Sequence, residues 1–199
     1  MSRLIIASAA SFETAELVRL LEGSAIPVTN IITGVGLTQS TITASRLQNF
    51  IRGRDVVFCC TGGIIGPFSA VTIYRASSAK LAPFDVRRGQ CELLKQFDPV
   101  CQFEGLPLRL PICDVLGSVG VTVASEPSHG GPIMLETLEL YGVARAWLSH
   151  AKSFTAVVAS TNEVGPTARK QWQENFRLAA TLTADTLVGE IGRLIHEIN

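Results

Sequence analysis

The chain has 199 residues, a length that suits one domain with a large single core. Lys plus Arg and Asp plus Glu number 17 each, and no basic stripe with interleaved aromatics occurs, which argues against a nucleic-acid partner. Mean hydropathy is positive, yet no apolar run reaches the roughly 18 residues that a membrane span needs, since Val56 to Phe68 is broken by Gly62, Gly63 and Gly66.

Arg3 to Ser8 reads as a buried strand; its apolar core is too short for a secretory leader, and Glu13 and Glu16 follow at once. A helix is expected from about Phe12 to Leu21, with Ala15, Leu17, Val18, Leu20 and Leu21 inward. Val28 to Thr33 is a second strand, followed by Gly34-Val35-Gly36 and a helix from about Gln39 to Ile51. Val56 to Thr61 is a third strand, ending in Gly62-Gly63-Ile64-Ile65-Gly66. Val71 to Ser77 and Leu108 to Ile112 read as less regular strands, and Ser78 to Pro107 as loop-rich. Val119 to Val123 is expected to be a strand, then a polar Gly/Pro loop from Ala124 to Pro132 and a helix to about Ala146. Phe154 to Ser160 is a further buried strand, after which Phe176, Ala180, Leu187, Ile191, Leu194 and Ile198 recur at helical spacing. Strands alternate with helices and no low-complexity linker divides them. The pattern implies one α/β domain over residues 1–199, a three-layer α/β/α arrangement around a mixed central sheet.

Five cysteines (Cys59, Cys60, Cys91, Cys101, Cys113) form an odd set with no CxxC spacing, which reads as reduced thiols in a cytoplasmic protein. His129, His150 and His196 cluster neither with one another nor with the cysteines, so no metal is expected.

In an open α/β sheet, ligands sit beyond the carboxyl ends of the strands. Asn162 stands where the Phe154 strand stops, so its amide offers a ligand both a donor and an acceptor; its plainer role is to cap the turn before Gly165-Pro166. Glu13 follows the first strand within five residues, where a carboxylate either complements the helix dipole or serves as a base. Glu139 lies amid Leu138, Leu140 and Val143, a setting costly for an acid without partners unless it is a solvated helix Glu; on a helix it would neighbour Glu136. Gly34-Val35-Gly36 admits a dinucleotide-binding reading, but the third glycine is missing and the next strand ends Cys-Cys-Thr without an acid.

Thr161-Asn162-Glu163-Val164-Gly165-Pro166, with Arg169 and Trp172 beyond it, resembles the Ser-Asn-x-Val-x-x-x-x-Arg-x-x-Trp signature of futalosine hydrolases. These are members of the nucleoside phosphorylase superfamily, together with the methylthioadenosine and adenosylhomocysteine nucleosidases. Glu136-Thr137-Leu138-Glu139 resembles the family's Glu-Ser-Met-Glu, and Gly63-Ile64-Ile65-Gly66-Pro67-Phe68 its Gly-Ile-Ala-Gly-Ala-Phe. The motifs occur in the family's order, so the resemblance covers roughly residues 3 to 190.

The resemblance implies a nucleoside phosphorylase-like fold and hydrolysis of an N-glycosidic bond, with no cofactor. Glu13 takes the place of the acid that activates water, Asn162 that of the residue that meets the departing purine, and Glu139 that of the ribose-binding acid. Gly63 and Ile64 would approach the ribose; Ile65, Ser128, His129, Leu138 and Trp172 would border the base or the 5′ group. Family members are usually dimers whose partner walls the 5′ end of the pocket, so a homodimer is expected. Four departures from the pattern stand out. Thr61 replaces the phosphorylases' phosphate-binding Arg, which makes water the expected nucleophile; Val158 replaces an Arg; Leu138 and Tyr141 replace Met and Ala; and the 124–132 loop lacks a stacking aromatic. The implied substrate is futalosine or 6-amino-6-deoxyfutalosine, on the menaquinone route. The alternatives are 5′-methylthioadenosine or S-adenosylhomocysteine as substrate, and an inactive α/β module that only binds a nucleoside.

Overall fold

Eight strands make one mixed sheet: β1 (Leu4–Ser8), β2 (Val28–Ile32), β3 (Asp55–Ile64), β4 (Ile73–Leu81), β5 (Val100–Gln102), β6 (Ile112–Gly117), β7 (Met134–Thr137) and β8 (Ser153–Glu163). The computed structural model describes residues 4–24, 26–82, 87–89, 99–124 and 131–198. The helices among them are α1 (Ala15–Gly23), α2 (Leu37–Arg46), α3 (Gln48–Ile51), α4 (Leu140–Trp147) and α5 (Ala168–Ile198), with a 3₁₀ turn at Ser11–Glu13.

β1 lies between β2 and β3, parallel to both, and β3 runs parallel to β8 along its whole length. β8 then pairs antiparallel with β4, β4 parallel with β6, and β6 parallel with β7. β7 returns to β3, antiparallel at Gly63 and Ile64. Five strands thus close into a ring, while β1 and β2 extend it on one side and β5 edges β4.

The near-continuous apolar runs in β3 and β8 follow from this position, because both faces of each strand are covered. Side chains alternate between the faces. Val56, Phe58, Phe154, Ala156 and Val158 pack with Ala44 of α2 and Leu140, Val143 and Trp147 of α4. Val57, Cys59, Val157 and Ala159 pack instead with Leu17 and Leu21 of α1 and Ala179, Leu187 and Ile191 of α5. The result is the three-layer α/β/α arrangement. Cys59, Cys60, Cys101 and Cys113 are buried, and burial pushes the Cys59 and Cys60 thiols well up; Cys91 lies outside the described residues.

The structure departs from the sequence expectations at several elements. Val119 to Val123 is not a strand; Val119, Val121 and Val123 are 70%, 59% and 70% exposed. The alternation suggests a ladder, but the Thr122 amide hydrogen bonds to the Glu136 carboxylate instead. The neighbouring strands are β6, just before it, and β7, inside the stretch expected to be helical. Consequently Glu136 is a strand residue and Glu139 precedes α4, rather than both lying on one helix. The helix expected over Gln39 to Ile51 breaks at Leu47 into α2 and α3, and the one expected from Phe12 opens with the 3₁₀ turn. Within the region expected to be loop-rich, β4 continues to Leu81 and β5 adds an edge. No described helix is long and apolar enough to cross a membrane.

Trp147 is fully buried, and its indole N–H donates to the Ala44 carbonyl at 2.7 Å, joining α4 to α2. Trp147→Ala is expected to cost about 3–5 kcal/mol. Trp147→Phe keeps most of the volume and leaves the Ala44 carbonyl only its Leu47 N–H partner at 3.1 Å, so it is expected to cost about 0.5–1.5 kcal/mol. Urea midpoints measure both; a Trp147→Phe variant as stable as the wild type would show that the hydrogen bond adds nothing.

Candidate functional site

On one flank of β3, β1 pairs as far as Cys59 and β7 begins at Gly63. Between them the Thr61 amide lacks a strand partner, and the Glu13 carboxylate fills the gap. Its Oε1 accepts from Thr61 N at 3.1 Å and its Oε2 from Ala10 N at 3.0 Å. The short 3₁₀ turn after β1 holds Glu13 at this position. Strand order changes here, and in α/β sheets such switch points form ligand crevices.

On the other flank of β3, the register against β8 slips between Gly62 and Gly63. Gly62 faces Ser160 and Gly63 faces Asn162, so Thr161 is the extra residue of a bulge, a device that re-aims side chains. Thr161 and Asn162 both line the resulting pocket. The Thr161 hydroxyl donates to Asn162 Oδ1 at 2.8 Å, and Asn162 Nδ2 donates to the Glu163 carbonyl at 3.1 Å. Each end of the amide retains capacity for one more hydrogen bond. A Cβ at Gly63 would lie 2.7 Å from Asn162 Nδ2 and 3.0 Å from Val164 Cγ2, so any side chain there would displace the Asn162 amide.

Glu139 enters the same pocket from the turn before α4, its Oε1 accepting from Gly36 N at 2.8 Å. Gly36 has φ of +86°, a conformation L side chains rarely adopt, and this aims its N–H at the carboxylate. The pocket has a volume of about 500 Å³, within the usual range for small-molecule sites. One wall is aromatic. Trp172 stacks on Phe176 with ring centroids 5.0 Å apart, Phe12 meets both rings edge-on, and Trp172 Nε1 donates to Thr61 Oγ1 at 3.2 Å.

Glu13, Glu136 and Glu139 each retain 7% exposure, so the pocket is lined by three acids largely withdrawn from water. Burial pushes the Glu13 carboxyl up to about 7, against the backbone hydrogen bond from Ala10, with the nearby Glu139 charge raising it further. Burial likewise raises Glu139, opposed by the Gly36 amide. A carboxylate near 7 with an open lone pair is suited to accept a proton at neutral pH.

No protein-family model matches the sequence, and no curated protein sequence does. Solved structures match the fold. A methylthioadenosine/adenosylhomocysteine nucleosidase from Streptococcus pneumoniae superposes with a TM-score of 0.75 at 14% identity, covering 95% of this chain and 98% of that one. The Neisseria meningitidis nucleosidase bound to methylthio-immucillin-A gives 0.74 at 11% identity, over 96% and 99% of the two chains. Futalosine hydrolase of Helicobacter pylori strain 26695 gives 0.74 at 9% identity, over 96% and 97%. The chain has the nucleoside phosphorylase-like fold of these proteins.

Of the residues singled out in the sequence, Glu13, Gly63, Leu138, Glu139, Asn162 and Trp172 meet around this one pocket. Ile64 and Ile65 do not line it. The strand alternation that brings Gly63 to the pocket turns Ile64 towards the core, and Ile65 packs in a small cluster with Ala82, Leu116 and Val164. Ser128 and His129 lie outside the described residues. The structure adds Phe12, Val35, Val121, Thr122, Glu136, Thr161 and Arg169 to the lining. Three of these carried a usable signal, Glu136, Thr161 and Arg169 inside the motifs; the valines reach the pocket only through the tertiary path of their segments.

Because Glu13 is held up at about 7 against 4.5 for the ordinary carboxyl, folding takes up a proton between those values. The stabilisation this proton gives is complete below about pH 4.5 and is lost as pH rises through about 7. Glu13→Gln stays neutral throughout, so its stability relative to the wild type should improve by about 3 kcal/mol from about pH 4 to about pH 8. Urea midpoints across that range test this; parallel curves would mean that the carboxyl titrates as if in water.

Proposed function

We propose that the chain is a hydrolase that cleaves the N-glycosidic bond of a purine nucleoside, with a futalosine-type nucleoside as substrate. The observation that carries the reading is the meeting of Glu13, Glu139 and Asn162 in one pocket, with Glu13 poised near neutrality. Glu13 takes a proton from water as its oxygen bonds to the anomeric carbon. Glu139 accepts hydrogen bonds from ribose hydroxyls. The bond to the purine breaks with its electrons passing to the base, which takes a proton from solvent at N7. Asn162 meets that edge, its carbonyl accepting from the protonated nitrogen and its NH₂ donating to a 6-oxo group. Hypoxanthine is therefore the favoured leaving group, with adenine accommodated by rotation of the amide.

Water rather than phosphate as nucleophile is supported by Thr61. Its N–H donates to Glu13, and its hydroxyl accepts from Trp172 while donating to Glu13 Oε1 at 3.5 Å, so this position offers an anion no cation and no free donor. The 5′-methylthio nucleosides form a second reading, favoured by the apolar lining from Phe12, Val35 and Trp172, which suits a thioether. Incubation with futalosine, 6-amino-6-deoxyfutalosine, 5′-methylthioadenosine and S-adenosylhomocysteine, following free hypoxanthine or adenine, separates the readings. Release of no base from any of them would overturn the proposal.

Three outcomes are expected of the cleaved substrate. The rate should rise with pH through about 7, as Glu13 loses its proton and becomes a base. Asn162→Ala should lower turnover about a hundredfold, the cost of removing one preorganised partner where charge develops. Asn162→Asp exchanges the donor for an acceptor and should shift preference towards the 6-amino purine. Near-full turnover in Asn162→Ala would reduce the residue to a turn cap.

A further inference from the structure

We infer that Arg87, Glu136 and Thr122 form a clamp that fixes residues 118–123 as a wall of the pocket facing the purine, with Glu136 as the positioning residue. The inference rests on the reading of the pocket as a nucleoside site. The segment has little of its own to hold it. Val119, Val121 and Val123 are mostly exposed and none joins a strand, yet Val121 and Val123 line the pocket. Its fixed points are polar. Ser118 N donates to the Thr137 carbonyl at 3.0 Å and the Ser118 hydroxyl closes on the Gly120 carbonyl at 2.8 Å. Further along, Glu136 Oε1 accepts from Thr122 N at 3.0 Å, and Oε2 from the Thr122 hydroxyl at 2.6 Å.

Glu136 is as buried as the other two acids, but its charge is matched. Arg87 Nη2 reaches Oε2 at 2.7 Å, the pair retaining 12% and 6% side-chain exposure. Arg87 also donates to the Ala82 carbonyl at 2.5 Å and comes within 3.4 Å of the Thr122 hydroxyl. A buried carboxylate with this set of charge-assisted donors is held in place. Removing one member strands the others in a site of low dielectric. With both oxygens engaged, Glu136 acts on a ligand through Thr122 rather than by touching it.

The register fixes which end of the pocket is involved. Gly63 pairs with Glu136 on one side and with Asn162 on the other. The two residues thus stand two strand spacings apart, about 10 Å. A planar base whose edge meets Asn162 extends across Gly63 towards the wall that Glu136 secures.

Three variants test the clamp: Glu136→Gln, Thr122→Val and Thr122→Ser. The first two should raise KM, and the inhibition constant of the free purine, about tenfold, while turnover at saturation falls less than about threefold. Thr122→Ser keeps the hydroxyl and should restore both constants. Amide hydrogen exchange at 121–123 should quicken in the first two variants and not in the third. Should Glu136→Gln fail to fold, the near-isosteric Thr122 pair carries the test alone. Purine inhibition and exchange within about twofold of the wild type in Thr122→Val would overturn the clamp. If the wild type cleaves no nucleoside, the proposed function fails, and exchange at Thr122 still decides whether the clamp exists.

Discussion

Everything at the pocket hangs on the pairing of β3 with β8. The two strands run side by side for ten register positions, buried on both faces, and one residue too many on β8 shifts their alignment at Gly62/Gly63. That slip turns Thr161 and Asn162 into the pocket together. The other flank of β3 changes partner at the same height, from β1 to β7, and the amide left between them is the one Glu13 occupies. A single stretch, Thr61 to Gly63, therefore sets the places of both groups. A backbone amide in the interior of a sheet needs a partner, so filling the gap with a carboxylate satisfies the strand and fixes a buried acid at the pocket in one contact.

The acids divide by how their charge is met. Glu136 has Arg87 and the Thr122 hydroxyl and amide, and reads as structure. Glu13 has two backbone amides and the Thr61 hydroxyl, and Glu139 a backbone amide, with no cation among their hydrogen-bond partners in the described residues, and burial raises both. The fold bears that cost at one pocket, and two perturbed acids together there mark a candidate functional site. Sites of this kind sit at the destabilised end of a protein's energetics and depend on the surrounding core for rigidity.

Much of the frame was legible in the chain. The β1, β2, β3 and β8 runs are apolar because they are covered on both faces, and such runs announce themselves without tertiary information. The motif around Asn162 could be read because a strand end with a side-chain amide is local. The region between β4 and β8 was less readable for a physical reason. Met134 to Thr137 is only four residues, too short to display a period, and what makes it a strand is β6 on one side and the end of β3 on the other. Val119 to Val123 shows the converse, an alternation with no neighbour to pair with. Glu136 looked like a helical companion of Glu139 for the same reason, and its partner Arg87 is 49 residues away. Ile64 sat inside a motif, but alternation along the strand sends this neighbour of Gly63 away from the pocket, and Ile65, past the end of β3, packs against Ala82, Leu116 and Val164.

The closure of β3, β8, β4, β6 and β7 into a ring also bears on how the chain meets other copies of itself. Inside a ring each strand has a neighbour on both sides, so the long apolar strands that carry the pocket offer no open edge to a passing chain. The edges left among the described residues belong to β2 and β5, five and three residues long. Short edges are poor templates for strand addition. A sequence this rich in apolar β-branched runs is thereby shielded from edge-to-edge aggregation by its topology, with little help from surface charge.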